Sequence, residues 1–248
     1  MDLKEFFRQH PKAAIAFSGG VDSSYLLYAA LQCGADVHAY YVKGAFQPQF
    51  ELDDAQRLAR DIHAPMTVLR ADVLRDETVT ANPANRCYYC KKVVFSSIAQ
   101  AALADGYTLL LDGTNASDDA GDRPGMRALQ ELQVLSPLRL CGLTKPEIRR
   151  LSKEARLFTW DKPAYACLAT RIPTGEKITT EKLSATESAE GELFAMGFTD
   201  FRVRWYAGAA RLQFPAVQLP RVLERREEIL TKLKKYYPAV LLELEVRG

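Results

Sequence analysis

Within seven residues, Ser18-Gly19-Gly20-Val21-Asp22-Ser23-Ser24, the chain places two glycines, three hydroxyls and one carboxylate. The preceding Ala13-Ala14-Ile15-Ala16-Phe17 is a short apolar run that reads as a buried strand, and residues 25–31 have the amphipathic spacing of a helix. A glycine pair between strand and helix lets the backbone approach a ligand closely. Its amides, joined by those of the first helical turn, point at one spot and hold an anion there. Ser18, Ser23 and Ser24 add hydroxyl donors. Asp22 would repel a phosphate in that cradle unless a hard divalent cation lay between them, so the motif implies Mg2+ alongside the phosphate. The alternative is an ordinary glycine turn.

Four other groups carry chemistry. Cys87 and Cys90, in Arg86-Cys87-Tyr88-Tyr89-Cys90-Lys91-Lys92, fall one turn apart where a helical pattern through Phe95, Ile98, Ala102 and Leu103 begins. They share a face, and the positive helix end favours thiolate; the pair is a metal or redox site, or two small core residues. Asp112-Gly113-Thr114-Asn115-Ala116-Ser117-Asp118-Asp119 follows an apolar strand at 107–111 and offers groups for a nucleobase, a ribose or Mg2+. Cys167 stands in a segment, 158–175, where helical spacing stops, and in 160–175 two aromatics and two prolines suggest a rigid loop; Thr170 and Arg171 are its polar neighbours. Arg202 and Arg204 project to one face of a strand by its two-residue period, and Arg211 can join them across a hairpin turning at Gly208. Three guanidiniums on one face form an anion clamp for phosphate or carboxylate, or a solvated charged face. His10, His38 and His63 are scattered and give a histidine metal site little support, while Cys33 and Cys141 read as packing residues.

The glycine turn lacks the Lys-Ser/Thr pair and four-residue spacer of a Walker loop. It resembles the Ser-Gly-Gly-x-Asp-Ser loop of the ATP pyrophosphatases, which split ATP between the α and β phosphates and leave an adenylated substrate. With Arg86-Cys87-x-x-Cys90-Lys91, Asp112-Gly113-Thr114-Asn115, Arg123-Pro124-Gly125-Met126-Arg127, Ala166-Cys167-Leu168-Ala169-x-Arg171-Ile172-Pro173 and Arg202-x-Arg204, nearly the full chain resembles the LarE family. These are ATP-dependent sulfur transferases that make the nickel-pincer nucleotide cofactor of lactate racemase.

The resemblance implies ATP held by Ser18, Gly19, Gly20, Val21, Asp22, Ser23 and Ser24 together with Asp112, Gly113, Thr114 and Asn115, with Mg2+ at Asp22. It implies adenylation of a carboxylate of pyridinium-3,5-biscarboxylic acid mononucleotide, displacement of AMP by enzyme-attached sulfur, and a thiocarboxylate product. Cys167 matches the sulfur-donating cysteine that becomes dehydroalanine in sacrificial members. Arg202 and Arg204 match the pair that binds the substrate phosphate, with Arg211 and Arg171 counted beside them. Glu190 lies in the helix that carries a functional glutamate, so Cys167, Asp22 and Glu190 are the catalytic candidates. Cys87 and Cys90 depart from the sacrificial pattern. Members with that pair are similar to enzymes holding a [4Fe-4S] cluster on three thiolates, here Cys87, Cys90 and Cys167, whose open iron carries sulfide. Ligand count favours the cluster over sacrifice. The family also implies trimers paired into hexamers and partners among the proteins of the same cofactor pathway. A tRNA thiolation enzyme with the same ATP loop, a nucleotide sensor and an amide ligase are the competing readings.

The elements that must position these residues alternate. Helical and strand patterns at 2–8, 36–42, 50–62, 66–69 and 107–111 predict an α/β domain of the PP-loop type, a parallel sheet with helices on both faces and ligands at the carboxyl ends of its strands. Thr144 and Glu147 form a capping-box pair that starts a helix to about residue 156. Beyond Gly175 the pattern becomes helix 179–196, strand 201–206, strand 211–214, helix 219–235 and strand 240–246, a small α+β domain. The expected division is 1–160, a donor loop and linker at 161–178, and 179–248. With 48% hydrophobic residues, 33 basic against 31 acidic side chains and a net charge of +2, the chain has a globular composition and no general field for nucleic acid. Five cysteines, a charged amino terminus and no long apolar run point to a reducing, cytoplasmic setting.

Overall fold

Asp2 accepts a hydrogen bond from the Glu5 amide at 2.8 Å and so caps the first helix, α1 (Leu3–Gln9), which buries Phe6 and Phe7 ahead of the first strand. The structure, a computed structural model, describes residues 1–118 and 124–247; Asp119 and Arg123, singled out in the sequence, lie outside the described residues. The chain forms two compact units, residues 1–73 with 85–165, and residues 74–84 with 166–248. The second unit takes in a piece from the middle of the chain and the donor loop from residue 166 onward, whereas the sequence pattern suggests a separate linker at 161–178.

The first unit runs β1 (Lys12–Ala16), α2 (Val21–Gln32), β2 (Asp36–Lys43), α3 (Gln49–Asp61), β3 (Met66–Arg70), α5 (Arg86–Ala104), β4 (Leu110–Leu111), α6 (Pro124–Glu131), α7 (Pro137–Leu140) and α8 (Lys145–Glu154); α4 (Glu77–Thr80) belongs to the second. Its sheet has the order β3-β2-β1-β4 with every pair parallel. Ala13, Ala14 and Ile15 are fully buried because helices cover both faces: α1, α2, α3 and α8 pack against one side through Leu26, Leu27, Leu58 and Ile148, and α5 and α6 against the other through Phe95, Ile98 and Leu129. The strand order reverses at β1, and the crevice at its carboxyl end is where such sheets take ligands.

The strand expected at 107–111 is only two residues long. Gly106 has φ +81°, and the Tyr107 amide returns to Ala102 O at 2.8 Å, so these residues close α5 before the sheet begins. Leu135 extends the pairing instead, accepting from the Asp112 amide and donating to Leu110 O.

In the second unit, α9 (Thr180–Ala195), α10 (Leu219–Glu224) and α11 (Arg226–Leu233) cover the sheet of β5 (Arg202–Tyr206), β6 (Ala209–Gln213) and β7 (Val240–Leu242), with β5-β6 antiparallel and β6-β7 parallel. Phe198, Phe201, Phe214, Leu193 and Leu233 form its core. The single helix expected at 219–235 breaks at Arg225, whose guanidinium reaches Met196 O at 2.7 Å and Glu228 at 2.6 Å. Asn82, fully buried at φ +57°, ties the 74–84 segment to this unit by donating to Pro173 O at 2.7 Å and accepting from the Gly175 amide at 2.8 Å. Among the described residues no helix is long and apolar enough to cross a membrane.

Candidate active site

The glycine turn occupies the carboxyl end of β1 as its composition requires. Gly19 takes φ +71°, and a Cβ there would lie 3.0 Å from Ala55 Cβ on α3, so both the backbone angle and the close approach demand glycine. Gly20 caps α2, whose first-turn amides lack intrahelical partners and face outward from the sheet end. The Ser18 and Ser23 hydroxyls lie 3.0 Å apart, and Ser23 donates to Gly20 O at 3.2 Å, which stiffens the turn. Ser24 and Val21 are buried in the core; their contribution to a ligand is confined to the backbone.

Asp22 is divided between two jobs. Oδ2 takes the Lys145 ammonium at 2.5 Å, while Oδ1 is buried without a hydrogen-bond partner. Burial pushes this carboxyl above its ordinary range, with Lys145 pulling the other way. An orphaned carboxylate oxygen beside an anion cradle is the donor that Mg2+ takes, and the residues present fit that ion. When bound, Mg2+ would neutralise developing phosphate charge.

The second loop is pressed onto the first. A Cβ on Gly113 would lie 2.8 Å from Ser23 N and 3.1 Å from Ser23 Cα, so the chain passes directly over the first turn of α2. Asp112 accepts from Ser136 Oγ at 2.6 Å and Thr114 Oγ1 at 2.5 Å; Asn115 accepts from the Ser117 amide at 2.8 Å and gives its own amide to Asp118. These side chains, expected to reach the nucleotide, build the loop and leave Gly113 as the point of approach. Gly113→Ala is expected to lower pyrophosphate release at least about tenfold and stability by about 1–3 kcal/mol, because overpacking here displaces backbone; a steady-state assay and a thermal melt check it.

In the second unit, Cys167 precedes a 3-10 turn at Leu168–Arg171 and is half-buried. Its carbonyl accepts from Thr170 Oγ1 at 2.8 Å. Arg171 donates to Ala166 O at 2.9 Å within the turn, and Arg204 on β5 donates to Thr170 O at 2.8 Å, so Arg204 fastens the cysteine turn to the arginine strand. Arg204 and Arg211 stand opposite each other in the β5-β6 register. Desolvation, followed by the like charges of Arg171 and Arg211, lowers the Arg204 pKa. Arg202 is buried and donates to Phe201 O at 2.7 Å.

Glu190 does not face solvent. Its oxygens take Arg171 at 2.8 and 3.2 Å and the Val203 amide at 3.0 Å, and both side chains of the pair are essentially inaccessible. The geometry makes Glu190 the buried counter-ion that aims Arg171 and anchors β5. Glu190→Ala strips a buried guanidinium of its carboxylate and is expected to lower the denaturant midpoint by the equivalent of about 3–5 kcal/mol.

Cys87 and Cys90 lie on the first turn of α5, the former exposed and the latter half-buried. Tyr88 between them is held by Glu131 at 2.7 Å, with Lys92 and Arg127 over its ring. Among the described residues no three His, Cys, Asp or Glu side chains form a metal-type group.

Two lysines escape sequence reasoning. Lys145 is the first residue of α8, where a cation opposes the helix dipole; that misplacement is the one local sign that it has an anionic partner elsewhere. Lys162 lies beside Gly19 and the acidic side chains of α3.

A parallel sheet with a non-Walker glycine turn, a half-buried aspartate and a second loop crossing the same helix start defines the PP-loop ATP pyrophosphatase class. No protein-family model matches the chain. It is 37% identical over 225 residues to an uncharacterized protein of Synechocystis, covering 90% of this chain and 84% of that one. It is 30% identical over 225 residues to the pyridinium-3,5-bisthiocarboxylic acid mononucleotide synthase of Lactiplantibacillus plantarum, covering 90% and 82%. A tRNA-specific 2-thiouridylase of Fervidobacterium nodosum is 25% identical over 126 residues, covering 41% and 36%. The chain belongs to the LarE family of ATP-dependent sulfur transferases.

Proposed function

We propose that the enzyme adenylates a carboxylate of pyridinium-3,5-biscarboxylic acid mononucleotide and converts it to the thiocarboxylate with sulfur delivered at Cys167. The observation that carries this reading is the fastening of the Cys167 turn to Arg171 and Arg204, which supports a phosphate-bearing substrate held beside a nucleophile. A carboxylate oxygen of the substrate attacks the α phosphorus of ATP, pyrophosphate leaves, and the acyl-adenylate forms. The glycine-turn amides would hold the phosphates and Asp22, fixed by Lys145, would hold Mg2+.

The Cys167 thiolate then attacks the acyl carbon, and AMP departs with the bonding electrons. In the resulting thioester, loss of the Cys167 α proton and cleavage of its Cβ–S bond give the thiocarboxylate and dehydroalanine. A second reading, favoured by the one-turn spacing of Cys87 and Cys90 on α5, is a [4Fe-4S] cluster on these two thiolates and Cys167 that supplies sulfide. Anaerobic purification with iron and sulfide analysis, then intact mass after turnover, separates them. Loss of one hydrogen sulfide equivalent from the polypeptide marks sacrifice; an unchanged mass with repeated turnover marks the cluster. Incubation with ATP, Mg2+ and the mononucleotide should release pyrophosphate and add sulfur to the substrate. Failure to do so, with salt-sensitive retention of bulk tRNA on filters, would replace this reading with tRNA thiolation.

A further inference from the structure

Lys162 fastens the segment that leads to Cys167 onto the ATP loop. Its Nζ lies 2.7 Å from Asp54 Oδ2 and 3.3 Å from Glu51 Oε1, both on α3, and donates to Gly19 O at 3.4 Å. The side chain is only 13% exposed. Its backbone is held as well: Arg149 donates to Trp160 O at 2.6 Å and to Lys162 O at 2.8 Å. Three residues on, the Tyr165 ring meets Phe50 edge-on at 4.8 Å.

A long, flexible lysine side chain gives up much of its rotamer freedom in such a setting. The nucleotide cradle gains nothing obvious from it, since Lys162 binds the carbonyl side of Gly19 and two carboxylates, not an anion site. What it does hold is the start of the donor segment. Cys167 follows five residues later, so its Cα cannot stray more than about 18 Å from that of Lys162, the reach of a fully extended chain.

We propose that Lys162 is a positioning residue that couples adenylation to sulfur transfer; the inference rests on the sulfur-transfer reading above. The acyl-adenylate has two fates. Sulfur attack at the acyl carbon expels AMP and leads to the thiocarboxylate, whereas water attack at the same carbon expels AMP and regenerates the acid. Pinning the base of the donor segment to Gly19 narrows the thiol's range of positions and raises its effective concentration over that of water. The carboxylates of Glu51 and Asp54 keep the ammonium at that post.

The test is the amount of thiocarboxylate formed per pyrophosphate released, measured in a single turnover with the full chain, ATP, Mg2+ and the mononucleotide. Lys162→Met is expected to lower this ratio about tenfold, and Lys162→Arg to restore it to within about twofold. A residue that only supported the fold would slow both products together, and an unchanged ratio in Lys162→Met overturns the proposal. Should that variant fail to fold, Glu51→Gln combined with Asp54→Asn removes the ammonium's partners and must lower the ratio likewise; a folded double variant with the wild-type ratio also overturns it. If the wild-type protein makes neither product, it is the sulfur-transfer reading that fails.

Discussion

Cys167→Ser should release pyrophosphate and yield no thiocarboxylate at all. The substitution exchanges one atom, and the turn that presents it is held by the Cys167 carbonyl and the Arg171 and Arg204 guanidiniums, none of which depends on the sulfur. The fold and the arginine cluster therefore persist. A serine hydroxyl, however, is a far weaker nucleophile than a thiolate and carries no sulfur to give. The loss holds whether the side chain is the donor or a cluster ligand. Mass spectrometry of the small-molecule products is the readout, with pyrophosphate followed in parallel; thiolation at the wild-type rate would remove Cys167 from both roles.

Asp22→Asn should abolish the step before it. The variant keeps the shape of the side chain but loses the charge that pairs with Lys145 and the anionic oxygen offered to Mg2+. Removing a metal-binding group and its ordering partner from a phosphoryl-transfer site is expected to lower adenylation by at least about 10³-fold. Raising Mg2+ should not restore it. Stability should move little, or rise, because burial disfavours the ionised form of this carboxyl in the wild type. Pyrophosphate release across a Mg2+ titration, with a melt of the same samples, checks both halves; an active variant rescued by excess Mg2+ would place the metal elsewhere.

The features legible in the sequence are those with short-range causes. The glycine turn, the Thr144–Glu147 capping box and the strand-helix alternation of the first 70 residues each depend on neighbours within a turn or two, and each is found where its spacing places it. The partnerships missed are distant in the chain. Lys145 meets Asp22 across 123 residues and Lys162 meets Gly19 across 143, and no local pattern names either partner. Glu190 stands out in the sequence only through the family resemblance, and its burial against Arg171 cannot be read from a helix whose polar and apolar residues are poorly segregated. The break at Arg225 is likewise tertiary, since its guanidinium is drawn to the end of α9 at Met196.

The path of the chain limits how the protein can be cut. Residues 74–84 belong with 166–248 although the whole stretch 85–165 of the other unit intervenes, and Asn82, Thr80, Pro173, Gly175 and Ile178 join them through the backbone. A carboxyl-terminal fragment beginning at Ala166 would lack that strip, and the Gly175 and Ile178 amides and the Pro173 carbonyl would lose their partners. The arginine module thus has no severable border: it cannot be excised, grafted onto another nucleotide-binding sheet or shuffled as a tail, and any chimera must exchange both stretches at once.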